Sequence, residues 1–363
     1  FEFEKIWLAN ILINARHLHH SAPERTIGHY EGMLKGQAAL LISAGPSLKD
    51  SLEWIRAARE GAFLLACDTA LGVLLSAGIA PDGVVCLDAQ KQSLWHFLGK
   101  DLAQTTLLCD TVIHPSILRA VRPRRVIFST TARFLSRADG SVYRETTPGT
   151  EFLENLVGPV GDIQSGGSVA TTAFDMLRFL GAGHIYLVGQ DLAYTGRQIH
   201  ATGTHHIYGW LTRIHRLSTL EGINQAVLLK RHTAPIAGIG GGTVPGDHVL
   251  DLYRHWFEDS IPQAGLGVTN CTRQGALIAN CEHTIIDPAI LPRFQRDRQS
   301  PFYKKEELTN HEHLPAHHLY NDLCLALDNG TYEAFFETYT FLKPLRRKAE
   351  VYFKRNASRL SAE

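Results

Sequence analysis

The chain has 363 residues, its 36 Lys and Arg balance its 36 Asp and Glu, and 44% of its residues are hydrophobic. This length supports a large core and indicates two domains, or one large domain with an appendage. The zero net charge argues against a nucleic-acid-binding protein, and no run of about 18 apolar residues predicts a membrane span. The N-terminal residues lack a signal-peptide pattern, so we expect a cytoplasmic protein.

Cysteine and histidine usage gives no metal-binding pattern. The six cysteines form no CxxC pair, and several lie in apolar runs, which predicts reduced core cysteines. The 19 histidines include a C-terminal cluster that lacks the cysteines and carboxylates of a defined metal site. This cluster comprises His311, His313, His317 and His318. We expect it to be exposed, and we predict no metal site. Whether the protein depends on a divalent metal stays open.

The first 35 residues predict one helix that leads into the main domain. From residue 36 onward, short apolar runs rich in leucine and β-branched residues alternate with helical patterns. These runs do not alternate apolar with polar residues, which is typical of strands covered on both faces. Six buried strands are therefore predicted, at QAALLISA, AFLLAC, DGVVCLD, TTLLCD, RRVIFST and HIYLVGQD.

Helical patterns separate several of these strands. SLKDSLEWIRAARE and TALGVLLSAG are two of them, and SVATTAFDMLRFLGAG is the clearest, since its apolar residues fall at helical spacing and glycines end it. The alternation of strand and helix predicts an α/β fold with a doubly wound, mostly parallel, Rossmann-like sheet.

The pattern changes after Asp191. Residues 192–246 are rich in Gly, His and Thr and predict long loops, and residues 248–263 predict an amphipathic helix. GVTNCTRQGALI indicates a return to the sheet edge, and the later residues predict amphipathic helices. We therefore expect three parts, namely a helical lead-in over 1–35, a nucleotide-sugar-binding catalytic domain over 36–285 and a C-terminal helical domain over 286–363.

Polar side chains follow several predicted strands. Ligands of open parallel sheets bind at the carboxyl ends of the strands, near the point where the strand order reverses. Carboxylates at these ends suit sugar hydroxyls and base amino groups, although Asp68 and Asp110 are equally well explained as helix caps. The candidates from these strand ends are Gly45, Ser47, Asp68, Asp88, Asp110, Gln190, Asp191 and Tyr194.

Two glycine-containing turns precede helices and predict anion sites, because backbone N–H groups are free at a helix N-terminus. The first is the AGPSL turn at residues 44–48, and the second comprises Ser165, Gly166, Gly167 and Ser168. A plain N-cap with glycines for close packing is the alternative for the second turn. Neither turn has the Walker A or GxGxxG pattern, which argues against a P-loop kinase and a conventional dinucleotide oxidoreductase.

Four segments together resemble the motility-associated factor (Maf) proteins of flagellated bacteria. They are LLISAGPSLKD, CDTALGVLLSAGIAPDGVVCLDAQ, GGSVATTAFDMLRFLGAGHIYLVGQDLAYT and GVTNCTRQGALI. The resemblance covers about residues 35–290. It implies a core similar to sialyltransferases and a glycosyltransferase that moves a nonulosonic acid of the pseudaminic or legionaminic type from a CMP donor to Ser or Thr of flagellin. It also implies a role in flagellum assembly and motility.

The resemblance also implies roles for individual residues. Gly45, Pro46 and Ser47 would face the CMP, and Asp68 and Asp88 would meet cytidine and ribose. The turn from Ser165 to Ser168 would meet the donor phosphate or carboxylate. Gln190, Asp191 and Tyr194 would close the donor site.

The transfer also needs a general base with a pKa near neutrality to accept the proton of the acceptor hydroxyl. The loop after Tyr194 offers His200, His205 and His206, with His200 the first choice, and Asp191 is a rival base. Two alternatives stay open, a 6-hydroxymethylpterin diphosphokinase, which shares the GPSL turn and the strand-end aspartates, and a non-catalytic flagellin-binding protein. Which sugar is used, the oligomeric state and whether the chain is part of a longer protein also stay open.

Overall fold

The computed structural model describes residues 2–18, 23–137 and 139–305. Its nine α-helices within these residues are α1 Glu2–Leu18, α2 Leu52–Ala58, α3 Asp68–Ser76, α4 Pro115–Ala120, α5 Pro148–Val157, α6 Val169–Phe179, α7 His205–Leu211, α8 Leu220–Leu228 and α9 His248–Gln263.

Thirteen strands occur in the same residues. They are β1 Ala38–Ile42, β2 Phe63–Cys67, β3 Gly83–Cys86, β4 Thr106–Asp110, β5 Arg125–Thr131, β6 Arg133–Ser136, β7 Val142–Glu145, β8 Asp162–Ile163, β9 His184–Val188, β10 Ala234–Ala237, β11 Thr243–Gly246, β12 Gly267–Asn270 and β13 Glu282–His283.

Nine of these strands form one sheet in the order β13-β12-β9-β1-β2-β3-β4-β5-β8. Every neighbouring pair in this sheet is parallel, which confirms the predicted α/β fold with a mostly parallel sheet. The six predicted strands are β1 to β5 and β9. The chain builds the sheet outward from β1 to β8 and then returns to place β9 on the other side of β1. The strand order therefore reverses between β1 and β9.

The central strands are buried on both faces, which explains their continuous apolar runs. Leu41 of β1 belongs to a core cluster that contains Phe174 of α6, whereas its neighbour Leu40 belongs to another cluster that contains Trp54 of α2. Successive side chains of a strand point to opposite faces, so helices cover both sides of the sheet. Full burial of each such leucine contributes about 1.5 to 3 kcal/mol.

Two short antiparallel hairpins lie outside the main sheet and were not predicted. One pairs β6 with β7, and the other pairs β10 with β11. Most of their residues are exposed or half-buried, and the second hairpin contains Pro235 and Pro245 at paired positions. Their sequences therefore lack the apolar runs that identified the buried strands.

The lead-in differs from a single helix over residues 1–35. Helix α1 ends at Leu18, and two 3-10 turns follow at Pro23–Arg25 and Ile27–Tyr30. Proline at residue 23 lacks the N–H that a continuing helix needs. The sequence after Gly45 likewise begins with a 3-10 segment, Pro46–Ser51, before α2.

The described part of the expected C-terminal domain packs against the sheet. Residues 286–305 contain two 3-10 turns and no α-helix, and the fully buried Phe302 lies 5.4 Å from Phe63 of β2, between ring centroids. The indole nitrogen of Trp54 also donates to the carbonyl of Ile286 at 2.7 Å. This packing groups residues 286–305 with the sheet. The C-terminal histidine cluster defined above and the rest of that expected domain lie outside the described residues.

Five of the six cysteines are described, and all five are free. Cys67, Cys86, Cys109 and Cys271 are buried, as expected for core cysteines, and Cys281 is partly exposed. Cys324 lies outside the described residues. Among the helices that the structure describes, none has the length and apolar character needed to cross a bilayer.

A buried ion pair fixes the segment after β13 to the sheet. The guanidinium of Arg296 binds both carboxylate oxygens of Asp82, at 2.7 and 3.0 Å, and also donates to the carbonyl of Arg59 at 2.8 Å. Asp82 is only 2% exposed and accepts a further hydrogen bond from the backbone of Leu64 in β2.

Removing the arginine leaves the buried Asp82 carboxylate without its guanidinium partner, and of the hydrogen bonds described here it keeps only the one from the backbone of Leu64. We expect Arg296→Met to lower the free energy of unfolding by about 3 kcal/mol, measured by urea denaturation. Arg298→Met, at an exposed position on the same segment, should change it by less than about 0.5 kcal/mol. Equal stability of the two variants would contradict this role of the ion pair.

Candidate functional site

Helix α1 anchors the loops at the carboxyl ends of β3 and β4. The side-chain amide of Asn10 donates to the carbonyls of Ala89 and Val112, at 3.0 and 2.8 Å. One helical turn later, Asn14 donates to the carbonyls of Thr111 and Ile113, at 2.9 and 2.8 Å. Because residues four apart share a helix face, one face of α1 holds both loops in place.

The first glycine turn is closed by the Asp191 carboxylate. Asp191 follows β9 and is 1% exposed. Its oxygens accept hydrogen bonds from the backbone N–H of Ser47 at 3.0 Å and from the Ser47 hydroxyl at 2.7 Å. A Cβ at Gly45 would lie 2.2 Å from the same carboxylate, so glycine is needed for this close approach and not for an unusual backbone angle.

The N–H groups of this turn already have partners within the chain. Gly45 donates to the carbonyl of Gly189 at 2.8 Å, Leu48 donates to the carbonyl of Gly45 at 3.0 Å, and Pro46 has no N–H. These hydrogen bonds use the N–H groups that were expected to bind a phosphate.

Desolvation by burial raises the pKa of Asp191 to about 6. The hydrogen bonds that its carboxylate accepts from Ser47 lower this pKa, but their effect is smaller.

Gln190 lies at the same switch point and is also held inside the protein. Its side-chain oxygen accepts a short hydrogen bond from the Ser43 hydroxyl, and its backbone N–H donates to the Thr272 hydroxyl at 2.9 Å. Gln190, like Asp191, therefore ties β9 to its neighbours. Its expected contact with a donor sugar stays a prediction.

The second turn is a capped helix start. Ser168 forms a capping box with Thr171 at the beginning of α6, and the Thr171 hydroxyl also accepts from the backbone of Gly166 at 3.0 Å. Glycine is required at residue 166 because a Cβ would lie 2.4 Å from the ring of Trp256. Gly167 completes the turn at a φ of 92°. This geometry matches the plain N-cap alternative for Gly166 and Ser168.

The three strand-end aspartates have different environments. Asp68 is the first residue of α3, is 3% exposed and accepts from the backbone and hydroxyl of Thr69, at 2.6 and 3.0 Å. Asp110 is also buried and accepts from the Thr131 hydroxyl at 2.7 Å. Asp88 is exposed, and its carboxylate accepts only from the backbone of Gln90 among the described residues. Burial raises the pKa of Asp68 to about 6 and also raises that of Asp110.

A cavity of about 620 Å³ opens at these strand ends, and we call it the strand-end cavity. It brings together residues from the ends of β3, β4, β5 and β8 and one residue of α1. A cavity of this size is typical of small-molecule sites. Six of its lining residues are Trp7, Asp88, Asp110, Thr131, Arg133 and Ser165.

Four histidines gather beside Asp68, and we call His96, His200, His205 and His206 the histidine cluster. The ring of His206 lies 5.3 Å from that of His96 and 5.1 Å from that of His200, between centroids. His205 stacks on Trp95 with a centroid distance of 5.4 Å and an interplanar angle of 7°. A cavity of about 170 Å³ next to the cluster is lined by residues that include Asp68, His96 and His205.

Partial desolvation lowers the pKa of all four histidines of this cluster. Desolvation, reinforced by the neighbouring imidazoles, lowers the pKa of His96 and of His200 to about 4. Burial also lowers the pKa of His205 and of His206, and the Asp68 carboxylate opposes the change at His206. Asp88 lines the strand-end cavity, and its charge raises the pKa of both His96 and Asp68, so it is also near the histidine cluster. No group of His, Cys, Asp or Glu in the described residues has the geometry of a metal site.

Tyr194 lies outside the strand-end cavity. Its hydroxyl donates to Asp247, the N-cap residue of α9, and accepts from Arg231 at 2.9 Å. The hydrogen bond to Asp247 and the burial of the ring raise the pKa of Tyr194. Tyr194 lines a different cavity, so the structure separates it from Asp88 and Ser165.

The structure adds several residues that the sequence did not identify. Asn10 and Asn14 had an available signal, since two asparagines four residues apart on an apolar helix face are costly to bury without partners. His96 and Arg133 had none, because a single polar residue in a 3-10 turn or at the start of a short exposed strand is ordinary. Only the fold brings His96 to the loop after β9.

The buried Asp68 carboxyl should make stability depend on pH. Since its pKa is raised in the folded state, it stabilises the fold most in its protonated form, and this contribution is lost as pH rises from about 4 through about 6. Asparagine does not titrate, so Asp68→Asn should not lose this contribution as pH rises. We expect the free energy of unfolding of Asp68→Asn, relative to that of wild type, to increase by about 1 to 3 kcal/mol between pH 4 and pH 7.

Urea denaturation at both pH values measures this difference. Asp101→Asn, at an exposed carboxylate that binds only the backbone of Ala103 among the described residues, is the matched control and should follow wild type. A constant difference between Asp68→Asn and wild type across this range would contradict a raised pKa at Asp68.

Two proteins of Treponema pallidum (strain Nichols), each described as "Uncharacterized protein", match parts of the chain. One is 33% identical over 88 residues, 24% of this chain and 40% of that protein, and the other is 30% identical over 133 residues, 36% of this chain and 33% of that protein. The chain therefore spans less than half the length of these relatives.

A solved structure titled "Structure of MAf glycosyltransferase from Magnetospirillum magneticum AMB-1" matches with a TM-score of 0.48 and 18% identity, over 75% of this chain and 39% of that chain. Its title names the family that the sequence motifs resemble. A family model described as "6-hydroxymethylpterin diphosphokinase MptE-like" matches residues 9–197, which hold β1 to β9 and most of the candidate site. This match covers more than half of the chain, and the chain therefore belongs to the MptE-like family.

Proposed function

We propose that this chain is a glycosyltransferase that moves a nonulosonic acid from its CMP donor to Ser or Thr of flagellin. The sugar would be of the pseudaminic or legionaminic type, as the sequence resemblance to Maf proteins implies. The proposal includes the expected cytoplasmic location and a role in flagellum assembly and motility.

The strand-end cavity is the observation that carries this proposal. It joins Asp88, Asp110 and Ser165 with the guanidinium of Arg133 in about 620 Å³, enough for a nucleotide. Carboxylates and hydroxyls are suitable partners for ribose, sugar and base groups. Arg133 is exposed, and a guanidinium pairs well with phosphate oxygens. We therefore place CMP in this cavity, with its phosphate toward Arg133.

The histidine cluster offers the general base. His200 was the first choice from the sequence, but a pKa of about 4 makes it a weak base at neutral pH. His205 is half-buried and lines the small cavity beside Asp68, and desolvation and the nearby Lys100 lower the pKa of its imidazole. We assign the base to His205. The leaving CMP already carries its negative charge, so the reaction needs no strong acid.

Arg133 provides a direct test of the donor site. We expect Arg133→Gln to weaken CMP binding at least about tenfold, because it removes a charge-assisted hydrogen bond to the phosphate. Isothermal titration calorimetry with CMP measures this effect. Arg213→Gln, at an exposed arginine outside the cavity, is the control and should bind CMP as wild type does. Equal affinity of Arg133→Gln and wild type for CMP would contradict the placement of the phosphate at Arg133.

His205 provides the test of catalysis. We expect His205→Ala to slow sugar transfer by about 10² to 10⁴ while CMP binding is kept, because only the proton acceptor is removed. The intact mass of purified flagellin, followed after mixing with enzyme and a CMP-nonulosonic acid, gives the rate. His215→Ala, an exposed histidine outside the cluster, should leave the rate unchanged. If His205→Ala transferred the sugar at the wild-type rate, the base would have to be His206 or another group.

The family description favours a second candidate, a 6-hydroxymethylpterin diphosphokinase. In that case the strand-end aspartates Asp68, Asp88 and Asp110 would bind Mg²⁺ and ATP. A thermal-shift comparison separates the two candidates. Stabilisation by CMP alone supports the glycosyltransferase, whereas stabilisation by ATP only when Mg²⁺ is present supports the diphosphokinase.

A further inference from the structure

A second large cavity lies on the chain between β9 and β12, and we call it the loop cavity. Its volume is about 590 Å³, and Tyr194, Arg197, Leu228, Arg231 and Pro245 are among its lining residues. It shares no lining residue with the strand-end cavity. Apolar walls with a few polar groups are typical of sites for small organic molecules.

The charged residues that line the loop cavity are basic, although the Asp247 carboxylate behind Arg231 offsets one of the two charges. Arg197 and Arg231 are the charged residues among those that line it, and no Asp or Glu of the described chain is one of them. The surrounding sequence has the same bias, although the whole chain is neutral. Between Asp191 and Asp247 the only acidic residue is Glu221, whereas the basic residues are Arg197, Arg213, Arg216, Lys230 and Arg231.

Arg231 is held in a fixed position at this cavity. Its Nη1 donates to the Tyr194 hydroxyl at 2.9 Å and to the Asp247 carboxylate at 3.2 Å, and its guanidinium lies 5.7 Å from the centre of the Tyr194 ring. Asp247 is itself fixed as the N-cap of α9 through the backbone of Leu250. These hydrogen bonds use one nitrogen of Arg231, so among the described residues the remaining N–H groups are available to a ligand.

Arg197 reaches the same cavity from a strained turn. Its φ is 59°, in the left-handed region that is uncommon for residues other than glycine, and the preceding Gly196 has a φ of 60°. Such strain occurs most often at functional positions. The Arg197 side chain is exposed and has no hydrogen-bond partner among the described residues.

We propose that the loop cavity binds a small organic oxyanion, a carboxylate or phosphate carried on an apolar body, through Arg197 and Arg231. Each guanidinium group can pair with the oxygens of a carboxylate or phosphate, and Leu228 and Pro245 of the cavity lining would contact the apolar body. This site is separate from the CMP site and does not depend on the proposed glycosyltransferase activity.

Matched aromatic probes test this proposal in the intact chain. Benzoate and phenyl phosphate carry the two oxyanions, and benzamide is the neutral analogue of similar shape. By isothermal titration calorimetry, we expect at least one anion to bind about tenfold or more tightly than benzamide, because it gains charge-assisted hydrogen bonds. Tighter binding of phenyl phosphate would assign a phosphate ligand, and tighter binding of benzoate a carboxylate. Equal binding of all three probes would overturn the proposal.

Arginine variants locate the bound probe. We expect Arg197→Gln, a change at an exposed side chain that should not affect folding, to weaken binding of the preferred anion about tenfold. Arg231→Lys keeps the charge but loses the planar fork, and it should also weaken binding. Arg213→Gln lies outside the cavity and should bind as wild type does. Wild-type affinity in Arg197→Gln, or equal losses in Arg197→Gln and Arg213→Gln, would overturn the assignment to this cavity.

Discussion

The hydrogen bonds between Asp191 and Ser47 join the two strands between which the order of the sheet reverses. The carboxylate that follows β9 binds the turn that follows β1, and Gly45 leaves the space for it. In an open parallel sheet this is the usual place for a ligand. In this protein the Asp191 side chain occupies the switch point between β1 and β9. The two cavities described above, the strand-end cavity and the loop cavity, are lined by other parts of the chain.

Burial sets the chemistry of the strand ends. The buried Asp68 carboxyl lies next to the histidine cluster, and desolvation raises the pKa of this acid and lowers the pKa of the imidazoles. Asp88 is exposed, lines the strand-end cavity and influences the pKa of both Asp68 and His96. It is therefore a residue that is near both the strand-end cavity and the histidine cluster.

The family assignment and the sequence motifs point to different activities on the same core. The description of the matching family model names a 6-hydroxymethylpterin diphosphokinase, whereas the sequence motifs resemble those of Maf glycosyltransferases. One fold can host unrelated chemistries, because function depends on the groups at the binding site and not on the sheet itself. The choice between CMP and ATP with Mg²⁺ is therefore a question about Asp68, Asp88 and Asp110.

The sequence by itself determined the parallel sheet, because leucine-rich runs such as that of β1 bury both faces and leave an unmistakable pattern. It also identified the strand-end residues Asp88, Asp110 and Ser165, which the fold brings to one cavity. The partners of those residues were decided only by tertiary structure. Asp191 reaches Ser47 across 144 positions of sequence, and no local pattern encodes such a contact. Segments without apolar periodicity, such as the hairpin of β10 and β11 and the turns of residues 286–305, acquire their conformation from the surfaces on which they pack.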